Sequence, residues 1–318
     1  MNWETTLKKI TYETALQAAM QWVDKPLNLT LVNNQINCVY RFKFENKSYY
    51  LRMTHEQIRP RKELDAAIDF QQHLFIAGAP VCRAMQSRHA RFIELIKQDE
   101  LAFLAHVCHE VPGTVMHFDH TEKTVYIAWG KSLALLHRAS QTYQPKEHHF
   151  RTWKDLWQET TDYAEHESQD IKDMYQLIDA WFANHPITAF NFGLTHGDHR
   201  PGNVLYDGQA IHIIDFDEPV YHWYIADIAM PFLDLCSKPH HEWKPLFDWF
   251  IEGYRSILSI NDDDLRSINW FTQMKSLGIY LWCKNNWCEP TAPGGKPRDQ
   301  WLAELRHMAL TPIFPRLD

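Results

Sequence analysis

The sequence predicts an α+β protein in which a small lobe built on an antiparallel sheet precedes a larger, mainly helical lobe. Three observations carry that expectation. Short segments rich in β-branched and aromatic residues crowd the first hundred positions, and a 3.6-residue apolar period dominates after Val111-Pro112-Gly113. The one return to β-like runs lies between residues 190 and 220. This pattern divides the 318 residues into a lobe over 1–108 and a lobe over 109–318.

The elements follow in order. Thr11 is placed to cap a helix over 11–23 with Leu16, Ala19, Met20 and Val23 on one face. Strands are predicted at Leu27–Val32, Cys38–Phe44 and Ser48–Met53, the last two joined by the turn Glu45-Asn46-Lys47. Pro60 opens a helix that buries Leu64, Ala67, Ile68 and Phe75, and Gly78 closes it. Strands over 91–97 and 101–108 complete the first lobe. Helices are then expected from Val125 to Ala139 and over 153–167, 170–184, 223–236, 242–258, 263–284 and 298–309. Glu289–Arg298, rich in Pro and Gly, reads as a loop.

Composition narrows the function. Lys and Arg number 32 against 40 Asp and Glu, a formal net charge of −8, and no basic surface announces a nucleic-acid partner. No run approaches the ~18 apolar residues of a membrane span. The N-terminus lacks the basic start and apolar core of a signal peptide, and the six cysteines form no Cys-x-x-Cys pair. A cytoplasmic protein with reduced thiols is therefore expected. Nothing in the sequence speaks to oligomeric state.

The chemistry concentrates in Leu194–Asp217. His196, Asp198 and Asn203 share one polar loop, and a hairpin of Val204–Tyr206 and Ile211–Ile214 delivers Asp215 and Asp217 beyond its second strand. A hairpin returns its ends to one place, so Asp198, Asn203 and Asp215 are expected to converge. Carboxylates and a carboxamide without thiolate make a hard oxygen site suited to Mg2+. Phosphoryl transfer also needs a carboxylate to orient and deprotonate an acceptor hydroxyl, and Asp198 is placed for it.

His196-Gly197-Asp198-x-x-x-x-Asn203, followed by Ile214-Asp215-Phe216-Asp217, resembles the signature of the aminoglycoside phosphotransferase and choline kinase family, whose fold is protein-kinase-like. Asn37–Tyr40 with Tyr49–Arg52 resembles the nucleotide-covering loop and the strand that bears the phosphate-contacting base. Val111–Gly113 resembles the turn past the hinge, Leu133–His137 the helix after it, and Asp227-Ile228-Ala229 the brace of the catalytic loop.

The resemblance implies an ATP- and Mg2+-dependent kinase acting on a hydroxyl of a small molecule. ATP would lie between the lobes, its adenine against Cys108, His109 and Glu110 and its phosphates near Arg52. Asp198 would be the base, Asn203 and Asp215 the metal ligands, and His196 a shaper of the loop. Asp217 and Glu218 would line the acceptor side, where acidic groups suit an amine. The aromatic set Trp129, Trp153, Trp157, Tyr221, Trp223, Tyr224 and Trp282 offers a cage for a cationic acceptor, with Trp223 and Tyr224 the best candidates. An aminoglycoside, choline or ethanolamine, or a homoserine-like hydroxy-amine would each fit the frame.

Four positions depart from the family pattern. Arg52 stands where many relatives have Lys, a change that is not conservative. Ala67 stands where a helix Glu holds that base, with Glu63 one turn earlier as a substitute. The covering segment Val32–Ile36 has no Gly. Arg200 follows the base by two and is placed either to contact the transferring phosphate or to form a salt bridge. Three other readings stay open: a pseudokinase that binds ATP without turnover, a Ser/Thr protein kinase, and a metallohydrolase built on His196, His199 and His212. No Gly-x-Ser-x-Gly elbow and no P-loop is present.

Overall fold

The computed structural model describes residues 6–34, 37–145, 150–235, 239–292 and 295–314. They form two compact units. The first comprises 1–115, 142–150 and 204–217, and the second 116–141, 151–203 and 218–318. Gln35 and Ile36 of the covering segment, the pair His148/His149, Cys236, and Pro293 and Gly294 lie outside the described residues.

In the first unit, α1 (Tyr12–Ala19) starts at Thr11, whose hydroxyl accepts the Thr14 N–H at 3.2 Å. The helix ends at Ala19, so the helical period stops there. Met20, expected on the buried face, is 40% exposed, while Val23 is buried beyond the turn. Strands β1 (Leu27–Asn34), β2 (Cys38–Phe44) and β3 (Lys47–His55) follow. Glu45 and Asn46 both adopt positive φ, 48° and 61°, the two-residue hairpin turn whose twist matches the strands. Lys47 pairs with Phe44 and so belongs to β3 rather than to the turn.

Helix α2 (Arg61–Ile76) buries Leu64, Ala67 and Ile68 as expected, with Phe70 and Leu74, and Gly78 ends it at φ 81°. Phe75 is exposed: it sits one step beyond the buried stripe that Leu74 occupies. Strands β4 (Ala84–Met85), β5 (Glu94–Gln98) and β6 (Leu101–His109) complete a sheet of order β1-β2-β3-β6-β4, with β5 also on β6. Alternation turns Cys38, Tyr40, Phe42, Leu51 and Met53 into a core shared with Ala15, Ala18 and Trp22. Arg52 therefore points to the opposite face, paired in register with His106 of β6.

Two later segments complete this unit. Val204–Tyr206 and Ile211–Ile213 form a hairpin joined by Thr114–Val115. The Ile213 N–H donates to the Pro80 carbonyl at 2.8 Å, and the Cys82 N–H donates to the Ile213 carbonyl at 3.1 Å. Phe216 and Tyr143 pack on Phe70.

The second unit is mainly helical: α3 (Lys123–Ser140), α4 (Gln169–Asn184), α5 (His240–Arg255), α6 (Ile268–Asn286) and α7 (Arg298–Leu310). Two stretches expected as single helices are broken. Residues 153–167 form Trp153–Gln158 and Thr161–Glu165, and 263–284 divides into Asp262–Arg266 and α6. The helix expected over 223–236 is Tyr224–Ala229 followed by a tighter 3-10 segment. Val220–Trp223 forms the centre of a small sheet, parallel to Arg151–Thr152 and antiparallel to Phe192–Thr195. Among the described residues no helix is long and apolar enough to cross a membrane.

Candidate active site

In the second unit the strand Phe192–Thr195 ends at the catalytic-loop motif. The backbone N–H groups of His196 and Gly197 both donate to the Asp227 carboxylate, at 2.7 and 3.0 Å. His137 Nε2 lies 3.1 Å from the same carboxylate, and its Nδ1 lies 2.8 Å from the Tyr254 hydroxyl. Those partners require Nε2 to donate to Asp227 and the Tyr254 hydroxyl to donate to Nδ1. Burial alone would raise the Asp227 pKa, but the His137 hydrogen bond holds its carboxyl well below the usual range. The same burial lowers the His137 pKa despite the carboxylate, so the imidazole is neutral at physiological pH. The expected brace is thus present, and it extends two residues further than the sequence indicated. Leu133–His137 carried part of that signal; Tyr254, a buried aromatic on α5, carried none.

Gly197 adopts φ 82°, and a Cβ there would collide with the Glu218 carbonyl, so glycine is required. His196 is fully buried and its Nδ1 accepts the Asp198 N–H at 3.3 Å. Asn203 Nδ2 donates to the Asp198 carbonyl at 2.8 Å and to its Oδ2 at 2.9 Å. Asp198 and Asn203 are therefore brought together as expected. Arg200 forms a salt bridge to Asp198 at 3.2 Å, the second of its two predicted arrangements. Lys275 of α6, unmarked by any motif, donates to the Gly197 carbonyl at 3.2 Å.

In the first unit, Arg52 Nη2 reaches Asp215 Oδ1 and Asp217 Oδ2, each at 2.7 Å. Burial disfavours the guanidinium charge, yet the two carboxylates raise the Arg52 pKa further still. Asn37 Nδ2 donates to Asp217 Oδ2 at 2.5 Å, and Arg59 donates to the Asp217 carbonyl. Asp215 itself is left-handed at φ 69°, a conformation aspartate tolerates better than most residues. Among the described residues Glu63 forms no ion pair with Arg52: Asp215 and Asp217 take the position it was expected to fill.

The expected hinge, Cys108–Glu110, lies at the end of β6. The His109 and Glu110 N–H groups donate to the Arg83 and Ser48 carbonyls, at 2.9 and 3.1 Å. The Glu110 carboxylate holds Arg41 at 2.7 Å. Cys108 is buried, its sulfur 3.6 Å from Gln71 Nε2. These two backbone donors are committed to the sheet. Its two best candidates do not form the aromatic cage. Trp223 is 1% exposed, its indole N–H donates to the Pro186 carbonyl, and Phe182 and Trp153 pack on it. Tyr224 is buried and stacks on His137 at 4.4 Å. Both are core side chains because the short sheet and helix that carry them face inward. Glu218 is exposed.

The histidine metal site is not assembled either. His199 Nε2 accepts the Trp129 indole N–H at 2.9 Å, His212 pairs with Asp207 at 3.0 Å, and among the described residues no three His, Cys, Asp or Glu side chains converge for a metal. Among the described residues Arg52 Nε is buried without a hydrogen-bond partner, a donor suited to an anionic oxygen; Asp215 in the first unit and Asn203 in the second each carry hard oxygen.

Comparison with known proteins places the chain in a family. The amicoumacin kinase of Bacillus subtilis (strain 168) is 23% identical over 287 residues, 86% of this chain and 85% of that protein. The solved structure of the amicoumacin kinase hAmiN in complex with AMP-PNP, Ca2+ and Ami superimposes with a TM-score of 0.86 at 22% identity, covering 99% of this chain and 98% of that one. A microcompartment-associated aminopropanol kinase gives a TM-score of 0.76 at 18% identity, over 94% and 95% of the two chains. A profile of the phosphotransferase enzyme family matches residues 29–249, well over half of the sequence. The α+β fold expected from the residues is the fold of these kinases, and the chain belongs to the phosphotransferase enzyme family.

Proposed function

We propose that this protein is an ATP- and Mg2+-dependent kinase that transfers the γ-phosphoryl group to a hydroxyl of a small, amine-bearing molecule. The observation that carries the reading is the order of the catalytic loop. Asp227 clamps two consecutive N–H groups, His196 holds the next, and Asn203 fixes the Asp198 carboxylate through its side-chain nitrogen. This leaves the Asn203 carboxamide oxygen as a ligand for a divalent cation.

In the proposed reaction Asp198 accepts the acceptor's hydroxyl proton as the oxygen attacks the γ-phosphorus and the bond from that phosphorus to the β,γ-bridging oxygen breaks, releasing ADP. Arg52 neutralises phosphate charge with the donors it has left, and Asp215 and Asn203 would hold the metal, whose positive charge stabilises the transferring oxygens when bound. Lys275 and His196 keep the loop in register from either side of Gly197. The amine preference is supported by relatives named for amicoumacin and aminopropanol. We assign Glu218 to that amine; Asp217 is engaged by Arg52 and Asn37.

The test is a phosphoryl-transfer screen with Mg·ATP over amicoumacin, amino alcohols, aminoglycosides, choline and homoserine. Label should enter one product class, and Asp198→Ala and Asp215→Ala should abolish transfer. Nucleotide binding with no transfer to any acceptor would favour a scaffold instead.

A further inference from the structure

Arg52 leaves the sheet on the face opposite the core, where its guanidinium is only 14% exposed. A charge so placed needs fixed partners. Among the described residues helix α2 supplies none: Ala67 ends at a methyl group, and Glu63 makes no ion pair with Arg52. Both carboxylates come from the segment after Ile213, and their surroundings differ. Asp215 is 31% exposed at its side chain. Asp217 is 10% exposed, its Oδ2 is shared between Arg52 Nη2 and Asn37 Nδ2, and Arg59 holds its carbonyl.

A divalent cation can take Asp215 from Arg52 while Asp217 keeps the guanidinium in place. It cannot take Asp217 without stripping a buried arginine and an asparagine of their acceptor. We propose that Asp217 is the positioning residue that sets Arg52 for the nucleotide's phosphates, in the place of a helix carboxylate, and that Asn37 couples the covering loop to the same oxygen. This rests on the kinase reading above and removes Asp217 from acceptor recognition. Arg52 Nε, buried and without a partner, is the donor kept for phosphate.

The test uses the full chain and reads Mg2+-dependent AMP-PNP affinity by calorimetry, which needs no acceptor. Asp217→Asn keeps the shape and removes the charge. It should weaken AMP-PNP binding about tenfold or more in the native background and have little effect beside Arg52→Ala. With an acceptor in hand, KM for ATP should rise while KM for the acceptor stays unchanged. If Asp217→Asn fails to fold, Asn37→Ala with Arg52→Ala carries the same cycle, and its effect should likewise vanish without the arginine. Additive losses, or a rise confined to the acceptor's KM, would overturn the assignment while leaving the kinase reading intact. A native chain that binds no Mg·AMP-PNP would overturn both.

Discussion

Burial pushes the imidazoles of His199 and His222 down to about 3, outweighing the Asp227 carboxylate that favours their charged forms. In the unfolded chain each titrates near about 6.5. Above that pH both states are neutral and the two histidines cost nothing. As pH falls from about 6.5 towards about 3 the unfolded chain takes up protons that the folded one refuses, so stability declines. Each histidine contributes a slope of about 1.4 kcal/mol per pH unit in that window. Urea unfolding followed against pH should show the decline beginning below neutrality. His199→Gln keeps an acceptor for the Trp129 indole and should flatten the slope by about one histidine's share; an unchanged slope would contradict the neutral, buried assignment. Asp227 and Asp217 act at lower pH. Their folded carboxyls lie below the ordinary range, so their stabilisation is present above about pH 4 and is lost as acid protonates the unfolded chain. At this scale the sequence was most legible where a motif fixes geometry, as at Asp198, Asn203 and Asp227. It was least legible where a long-range partner decides, since nothing near Tyr254, Lys275 or Arg59 marks them, and only tertiary packing makes Trp223 and Tyr224 core residues.

Between elements, the crossing of α3 and α5 shows how backbone proximity acts on stability. Gly130 lies against the Phe250 carbonyl and Gly253 against the Ile127 carbonyl, and an added Cβ at either position would collide with that backbone. The two glycines therefore set how closely the helices pack. On an exposed helix Gly→Ala stabilises by about 1 kcal/mol. At this crossing the overpacking term of roughly 1–3 kcal/mol is opposed to it, and the neighbour is backbone that cannot rotate away. Gly130→Ala should lower stability by up to about 2 kcal/mol in chemical denaturation. Gly278→Ala on α6 meets nothing within 4 Å and should raise it slightly. Equal effects at the two sites would remove the crossing as the cause. The long helices were readable because their apolar stripes persist over several turns. The sheet of Arg151–Thr152, Phe192–Thr195 and Val220–Trp223 was not, because strands of two to four residues show too few alternations to register. The breaks near residues 159 and 267 were hidden for a related reason: the apolar period runs through them unchanged.

For the molecule as a whole, the first unit is not a continuous stretch of chain. A linear boundary near residue 108 follows the change from strands to helices, but the unit around the sheet also recruits 142–150 and 204–217. Those segments supply structural necessities. Ile213 exchanges backbone hydrogen bonds with Pro80 and Cys82, Phe216 packs on Phe70, and the Tyr143 hydroxyl donates to Asp69 at 2.7 Å. Asp215 and Asp217 provide both carboxylates that hold Arg52. A fragment ending at residue 115 would keep the whole main sheet yet take both counter-charges from the Arg52 guanidinium and leave the Phe70 face uncovered. Stripping one partner from a buried ion pair costs about 3–5 kcal/mol, a large share of the about 5–15 kcal/mol that holds a typical domain. The fragment 1–115 should therefore unfold without a cooperative transition and expose hydrophobic surface to a dye. Arg52→Met within the fragment should recover part of the lost order by removing the unpaired charge. A fragment that melts cooperatively with native-like near-ultraviolet dichroism would show instead that the sheet and its helices suffice, and that the returning hairpin adds chemistry without adding stability.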